Sequence, residues 1–455
     1  MNVHDNVLSA IGHTPLVKLN KLVGPNDAAV YVKLEYMNPG GSIKDRMAVH
    51  IVDKAEKAGL LKPGGTIVEN TSGNTGMGLA LIAAVRGYKC VFTMPDKMST
   101  EKINRLKALG AQVVVTPTNV AADDPRSYYE TAKRIARETP GSFYPNQYHT
   151  PDNIEAHYLS TGPEIWEQLD GKLDCFVAGL GTGGTMSGAG KFFKEKNKAV
   201  RNVGADPIGS IYAGYFRTGK IGHAHVYKVE GIGEDMVCGA MDFKVVDDVR
   251  QVDDRQCFVA ARRLAREEGI FAGGSSGAAI HVAVEVAKEL GKGKTVVTVL
   301  PDSGSSYISK FYSDEWMRDN GFLEDKGPGT VGDVMRARKQ ELIAAHKGDK
   351  TGALIELMKK HGISQMPVVE KDGTAIGMIH EYDMLNGLIA GAHKMTDTID
   401  RLVTPLQGVV TAETPIGKLK DVFNEENVAV VRDGQKVTAV VTKIDLIEYL
   451  AARAS

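Results

Sequence analysis

The chain has 455 residues, 43% hydrophobic and 24% charged, with 55 Lys and Arg set against 56 Asp and Glu for a formal net charge of −1. That length suggests about three domains of ~150 residues, and the balanced charge argues against a nucleic-acid or membrane-surface partner. No apolar run reaches the roughly 18 residues of a membrane span and no basic leader opens the chain, so a cytoplasmic protein is expected.

The first informative stretch is "NPGGSIKDR", residues 38–46. Gly40 and Gly41 allow a sharp turn, Ser42 suits a helix N-cap, and Ile43, Met47, Ile51 and Ala55 repeat every four residues as a buried stripe. Lys44 falls in the first turn beside that stripe and can point into a cleft. The helix field and burial would both lower its pKa, leaving a free amine that serves as nucleophile and base. An ordinary solvated lysine is the alternative at this point.

Short β-branched runs then alternate with helical stretches as far as residue 322. Strands are expected at 66–70, 89–94, 111–116, 174–179, 201–206 and 294–300, and helices at 76–87, 99–110, 126–138 and 277–291. Gly87, Gly110 and Gly291 supply C-terminal stops. Apolar strands alternating with helices predict an α/β fold with parallel sheets covered on both faces. Cys90, Cys175, Cys238 and Cys257 are far apart and form neither a metal cluster nor a disulfide framework, and each reads as a small buried hydrophobe.

Three strand–helix junctions carry chemistry. "ENTSGNTGMG" (69–78) offers backbone N–H groups and the hydroxyls of Thr71, Ser72 and Thr75 to an anion, and an amide, Asn74, to a ring or carbonyl oxygen. "GLGTGGTMSG" (179–188) is a phosphate cradle. It also fits G-x-G-x-x-G at Gly179, Gly181 and Gly184 with Asp206 downstream, so a nicotinamide-linked oxidoreductase is a competing reading, though one that gives Lys44 no task. "AGGSSGAA" (272–279) places hydroxyls before a helix, where one could bond a ring nitrogen. "GKGKT" (291–295) lacks the earlier glycine of a nucleotide-binding loop and reads as a turn.

"FLEDKGPGTVGDVM" breaks the alternation, and 323–335 is read as a linker. Beyond it "MPVVEKDGTAIGMIHEYDMLNGLI" (366–389) resembles "VAVVRDGQKVTAVVTKIDLIEYL" (428–450): each is strand, Asp-Gly turn, strand, helix, with Asp383 and Asp445 at matching positions. Two small α/β units, about 336–392 and 393–455, are expected to cover each other's apolar faces.

Taken together, "NPGGSIKDR", "TSGNTG", "GTGGT", "EGIGED" (230–235), "GGSSG" and "LPDSG" (300–304) stand in the order found in the fold-type-II pyridoxal-phosphate β-family, which includes cysteine synthase and cystathionine β-synthase. The chain resembles that family over roughly residues 4–322. The C-terminal repeat resembles a pair of CBS-type regulatory motifs, as in many cystathionine β-synthases. The resemblance implies a two-lobed catalytic domain over 1–322, whose smaller, mobile lobe holds the helix from Ser42 and the 66–138 segment, and a regulatory domain over 336–455.

It further implies that Lys44 holds the cofactor as a Schiff base and moves the α-proton. Gly181, Thr182, Gly183, Gly184 and Thr185 would bind the phosphate, Asn74 the 3′ oxygen, and Ser275 the pyridine nitrogen. Thr71, Ser72, Thr75 and Gln147 would clamp the substrate carboxylate, and Tyr148 would help close the site. The implied reaction is β-replacement joining serine and homocysteine to cystathionine, with cysteine synthesis from O-acetylserine and sulfide as the alternative. Glu230 or Asp235 could receive the homocysteine ammonium group. No haem is expected, because the N-terminal extension that carries it in animal relatives is missing here. A homodimer or homotetramer is expected.

In the regulatory pair, Thr442 and Asp445 fit the ligand-binding pattern, but Ala439 replaces its glycine. The first copy keeps Gly377 and Asp383 and has His380 at the hydroxyl position. The cleft at Thr442 and Asp445 is therefore the better candidate for an adenosyl ligand, S-adenosylmethionine first, and a purely structural pair is the other reading.

Overall fold

The computed structural model describes residues 3–96, 98, 100–121, 123–323, 329–338 and 342–454. The chain forms two compact units, Met1–Leu323 and Glu324–Ser455.

Among its described residues the first unit contains ten strands: β1 (Leu16–Lys18), β2 (Ala29–Leu34), β3 (Thr66–Asn70), β4 (Lys89–Pro95), β5 (Gln112–Thr116), β6 (Ser142–Phe143), β7 (Cys175–Gly179), β8 (Arg201–Pro207), β9 (Asp248–Val252) and β10 (Thr295–Leu300). They form a six-stranded sheet in the order β1-β2-β10-β7-β8-β9 and a four-stranded sheet in the order β5-β4-β3-β6. All pairings are parallel except that of β1 with β2, which runs antiparallel at an edge. The expected α/β architecture is thus present, with one antiparallel edge the strand pattern did not reveal.

The larger sheet is covered on both faces. Cys175 and Val177 of β7 belong to one buried cluster, which includes Val30, Val203 and Val296. The intervening Phe176 and Ala178 belong to another, with Phe193, Val297 and Val299. This period-two alternation between two cores is what a doubly covered strand requires. The smaller sheet has its own core, including Ile67, Leu79, Phe92 and Leu106. All four cysteines are free and buried.

Helix Lys44–Lys57 starts two residues after Ser42. Ser42 Oγ accepts the Lys44 N–H at 3.2 Å, but Ile43 is the capping position, because Ser42 is drawn into a bridge with Asp302. The expected stripe is buried, with Ile43, Met47, Ile51 and Ala55 each at most 2% exposed. Helix Asn74–Arg86 packs against it where Gly78 lies: a Cβ there would be 3.0 Å from Ala48 Cβ and 3.2 Å from Asp45 Cα. This contact sets Lys44 beside the 71–76 loop. Gly87 and Gly291 end their helices with φ of +77° and +74°.

Among its described residues the second unit contains two three-stranded sheets of the same design: β11 (Ala345–His346), β12 (Gln365–Val369) and β13 (Ala375–His380), then β14 (Val409–Val410), β15 (Val428–Asp433) and β16 (Lys436–Thr442). In each, a parallel pair is followed by an antiparallel one. Val369 and Met378 of one sheet share a buried cluster with Val428, Val430 and Val437 of the other. The stretch read as a linker needs correction. Residues 324–328 lie outside the described residues, but Val331–Arg338 is a helix. Val331 and Val334 are buried against Val410, Ile416 and Leu419, so this helix completes the second sheet's core, not the first.

Candidate active site

Lys44 sits where the two sheets of the first unit meet. The Ile43 N–H donates to Pro301 O at 2.9 Å, just past the carboxyl end of β10. Lys44 keeps accessible surface, yet desolvation lowers the pKa of its amine, while Asp302 and then Glu234 raise it. No hydrogen bond or ion pair to its Nζ is found among the described residues. The solvated surface lysine is therefore excluded. The decisive cause is burial, which outweighs the two carboxylates.

Beside Lys44 lies the start of helix Asn74–Arg86, preceded by Gly73 at φ +130°. Thr71 Oγ1 accepts the N–H groups of Gly73 and Gly76 at 3.0 and 3.2 Å, which shapes the loop. Ser72 is partly exposed. Thr75 and Gln147 are brought together as expected, but they bond each other: Thr75 Oγ1 donates to Gln147 Oε1 at 2.6 Å, and Gln147 Nε2 to Asn70 O at 3.0 Å. Glu69 holds the Gln147 turn from behind, accepting its N–H at 3.2 Å, and burial pushes this acid up to about 8. The Tyr148 hydroxyl is 3.1 Å from that of Tyr128.

The glycine loop after β7 is pressed against its surroundings on one side. A Cβ at Gly181 would be 2.7 Å from Gly231 O, one at Gly183 (φ +95°) would be 2.5 Å from Met241 Cα, and one at Gly184 would collide with Asn153 Oδ1. With that side filled, the N–H groups at the start of helix Gly184–Lys196 are left to face a ligand, an arrangement suited to phosphate. Thr182 Oγ1 accepts from Asn153 Nδ2 at 3.1 Å, and the same amide group donates to Gln147 O at 2.9 Å, so Asn153 couples the 181–185 loop to the turn that holds Gln147. Thr185 Oγ1 lies 3.4 Å from Nε2 of buried His157, at a one-turn π-helix, His157–Thr161. Desolvation, then the charge of Lys44, hold His157 well below its usual pKa.

Ser275 is 3% exposed in the first turn of helix Gly274–Leu290, and the neighbouring buried Ser276 Oγ has no hydrogen-bond partner among the described residues. A weak, neutral hydroxyl pair of this kind suits a pyridine nitrogen that is not to be held protonated. Asn74 is turned toward the protein: its Nδ2 donates to Asp302 Oδ2 at 2.9 Å, leaving its carbonyl oxygen as the free end.

The dinucleotide reading does not fit. Asp206, the acid it would send to a ribose, is fully buried and accepts the Ala213 N–H at 2.9 Å to start helix Tyr212–Thr218. Five participants escaped the sequence reading: Asp302, Asn153, His157, Tyr128 and Glu234. Two of them lie inside quoted motifs: Asp302, just past a strand's carboxyl end in "LPDSG", and Glu234, between the two acids singled out in "EGIGED".

Residues 7–302 match the model of the pyridoxal-phosphate-dependent enzymes, and residues 331–390 that of the CBS domain. A rabbit (Oryctolagus cuniculus) cystathionine β-synthase is 39% identical over 98% of this chain and 85% of its own length. The chain belongs to the cystathionine β-synthase family of pyridoxal-phosphate-dependent enzymes. A Staphylococcus aureus cysteine synthase is 48% identical but spans 67% of this chain and 96% of its own length. The solved O-acetylserine-dependent cystathionine β-synthase of Helicobacter pylori superposes with a TM-score of 0.63 at 37% identity, covering 68% of this chain and 99% of that one. Both of these shorter likenesses leave out the tandem unit that the rabbit member of the family shares.

In that tandem unit the two clefts differ. Asp445 Oδ2 accepts from Thr442 N and Oγ1, both at 2.6 Å, and pairs with Arg338, whose Nη1 also donates to Val440 O at 3.1 Å. The cleft preferred from sequence is thus closed by the chain's own guanidinium. The other is open, with a volume of about 320 Å³ lined by His380, Asp383, Thr404, Gln407 and Glu426 among others.

Proposed function

We propose that this enzyme replaces the β-substituent of serine with homocysteine sulfur to give cystathionine. The observation carrying this reading is a desolvated Lys44 amine, without a partner among the described residues, set between the 71–76 loop and the 181–185 loop. Pyridoxal phosphate, when bound, supplies an electron sink for the charge left at an amino acid's α-carbon. Lys44 Nζ would hold it. The N–H groups of Gly181, Thr182, Gly183, Gly184 and Thr185 would take its phosphate, the Asn74 carbonyl side its 3′ oxygen, and Ser275 Oγ its ring nitrogen.

The chain's own groups then do the rest. Ser72 and the N–H groups of the 72–75 turn bind the substrate carboxylate, while Thr71 fixes the turn and Thr75 and Gln147 open their mutual bond to join in. The Lys44 amine, free of its proton because burial disfavours the ammonium, takes the α-proton and later returns it. Tyr148 and Tyr128 form a wall that excludes water. Asp383 in the open cleft of the tandem unit is the candidate contact for an adenosyl ligand such as S-adenosylmethionine. Four free buried thiols suit a reducing cytoplasm, and no helix among the described residues is long and apolar enough to cross a membrane. We assign a homodimer or homotetramer as the assembly.

The test is borohydride reduction and peptide mapping of the purified holoenzyme, with product identification for serine plus homocysteine and for O-acetylserine plus sulfide. A tag on Lys44, a band near ~410–420 nm lost in Lys44→Ala, and cystathionine as the preferred product are expected. An untagged Lys44 rejects the mechanism, and a clear preference for O-acetylserine and sulfide rejects the substrate assignment in favour of cysteine synthesis.

A further inference from the structure

The second substrate of the proposed reaction is itself an amino acid. It brings an ammonium group, and the 71–75 loop and the 181–185 cradle, both built for anions, offer that group nothing. A desolvated ammonium needs a carboxylate.

The acids around Lys44 can be taken in turn. Glu69 is fully buried and its oxygens accept the Asn70 and Gln147 N–H groups at 3.0 and 3.2 Å. Asp302 is 3% exposed; one oxygen takes Asn74 and Tyr307, and the other packs on Gly273, where even a Cβ would collide with it. Glu230 is neutralised by both Lys102 and Lys310. Asp235 is exposed.

Glu234 alone fits. Its backbone is pinned, the N–H donating to Ser210 Oγ at 3.1 Å and the carbonyl accepting the Ile211 N–H at 3.0 Å. Its side chain keeps accessible surface, and no hydrogen bond or ion pair to its carboxyl is found among the described residues. The Gly233 N–H donates to Leu180 O at 2.6 Å and Gly231 O lies against Gly181, so the turn that carries Glu234 is packed on the 181–185 loop, within electrostatic reach of Lys44 and of Tyr128, Tyr129 and Tyr148. Asp235 and Asp206 nearby add to the negative potential there.

We propose that Glu234 is the specificity residue that receives the α-ammonium group of the thiol-bearing amino acid. The assignment rests on the β-replacement reading above and places the thiol donor on the side of the cleft opposite the anion loop. Without a cation in place, burial and then the neighbouring Asp235 push Glu234 up to about 8; an incoming ammonium draws out its ionised form.

The experiment uses the holoenzyme with homocysteine and with 4-mercaptobutanoate, which keeps the thiol and carboxylate but lacks the ammonium. In Glu234→Gln the ratio of kcat/KM for homocysteine to that for 4-mercaptobutanoate is expected to fall about tenfold or more, mostly through the homocysteine KM. Glu234→Asp, which keeps the charge, should retain a larger ratio, and the cofactor band and its response to the first substrate verify that each variant is folded. An unchanged ratio, or an equal loss with both thiols, overturns the assignment while leaving the β-replacement reading intact. A wild-type enzyme that makes no thioether from either serine or O-acetylserine overturns both.

Discussion

Asn74 Nδ2 donates to Asp302 Oδ2 across 2.9 Å, joining the anion loop of the smaller sheet to the chain just past β10 of the larger one. The same oxygen accepts the Tyr307 hydroxyl at 2.7 Å. Asp302→Ala would strand the buried Tyr307 hydroxyl, at about 1–3 kcal/mol, and free the half-buried Asn74 amide at a smaller cost. Asp302→Asn keeps an acceptor oxygen and should be the milder change. Urea unfolding should therefore rank wild type above Asp302→Asn above Asp302→Ala. Asp302→Asn should also lower the Lys44 pKa further, since the carboxylate charge is what props it up.

Glu69 makes stability depend on pH. Its folded pKa of about 8 lies well above the ordinary glutamate value of 4.5, chiefly because the charged form is desolvated. The folded state then holds a proton that the unfolded state has released, so the contribution is fully present below about 4.5 and is lost as pH rises through about 8. The free energy of unfolding should fall between pH 5 and pH 8, and Glu69→Gln should flatten that slope, because the amide has no charge to desolvate; the variant loses one of the two acceptor oxygens, a cost felt most at low pH, where wild-type Glu69 is neutral. Urea midpoints at the two pH values read both effects, and a variant with the wild-type slope would show that another acid is responsible.

Glu230 is 15% exposed at the side chain and pairs with Lys102, itself 9% exposed, on helix Thr100–Ala108 of the smaller sheet, and with Lys310. Removing one partner of a buried pair leaves an uncompensated charge and costs about 3–5 kcal/mol. Glu230→Ala should accelerate hydrogen exchange in helix Thr100–Ala108 more than in helix Gly274–Leu290, whose core it does not touch. Uniform acceleration across both would mean the pair stabilises the unit as a whole.

How far the sequence carried these conclusions depended on the range of the interaction. Strands β4, β5, β7 and β10 are legible because each carries an apolar, largely β-branched run, β3 and β8 because they fall in step with the strand–helix alternation, and the stripe from Ile43 to Ala55 because helical periodicity is local. Lys44, the 181–185 cradle and the 71–76 loop were legible because glycine and hydroxyl residues cluster within a few positions. Asn153 was not: its two bonds, to residues 147 and 182, give its own neighbourhood no pattern. Glu230 and Glu234 are separated by four positions in one motif, and only the lysines arriving from 102 and 310 show which acid is already spent. The helix Val331–Arg338 was misread because its Gly-rich approach resembles a linker, while the strands that bury Val331 and Val334 lie some eighty to a hundred residues further on.

The tandem unit offers a contrast between two equivalent acids. Asp445 is already paired with Arg338 and bonded by Thr442, whereas Asp383 lines an open cleft of about 320 Å³, within the range of small-molecule sites. Calorimetry with S-adenosylmethionine should give heat that Asp383→Ala removes and Asp445→Ala leaves largely intact. Arg338→Ala withdraws the guanidinium from Asp445 and should add a second, weaker binding event. Heat that survives Asp383→Ala but vanishes in Asp445→Ala would mean that the ligand displaces Arg338, and no heat in any variant would make the pair a structural element.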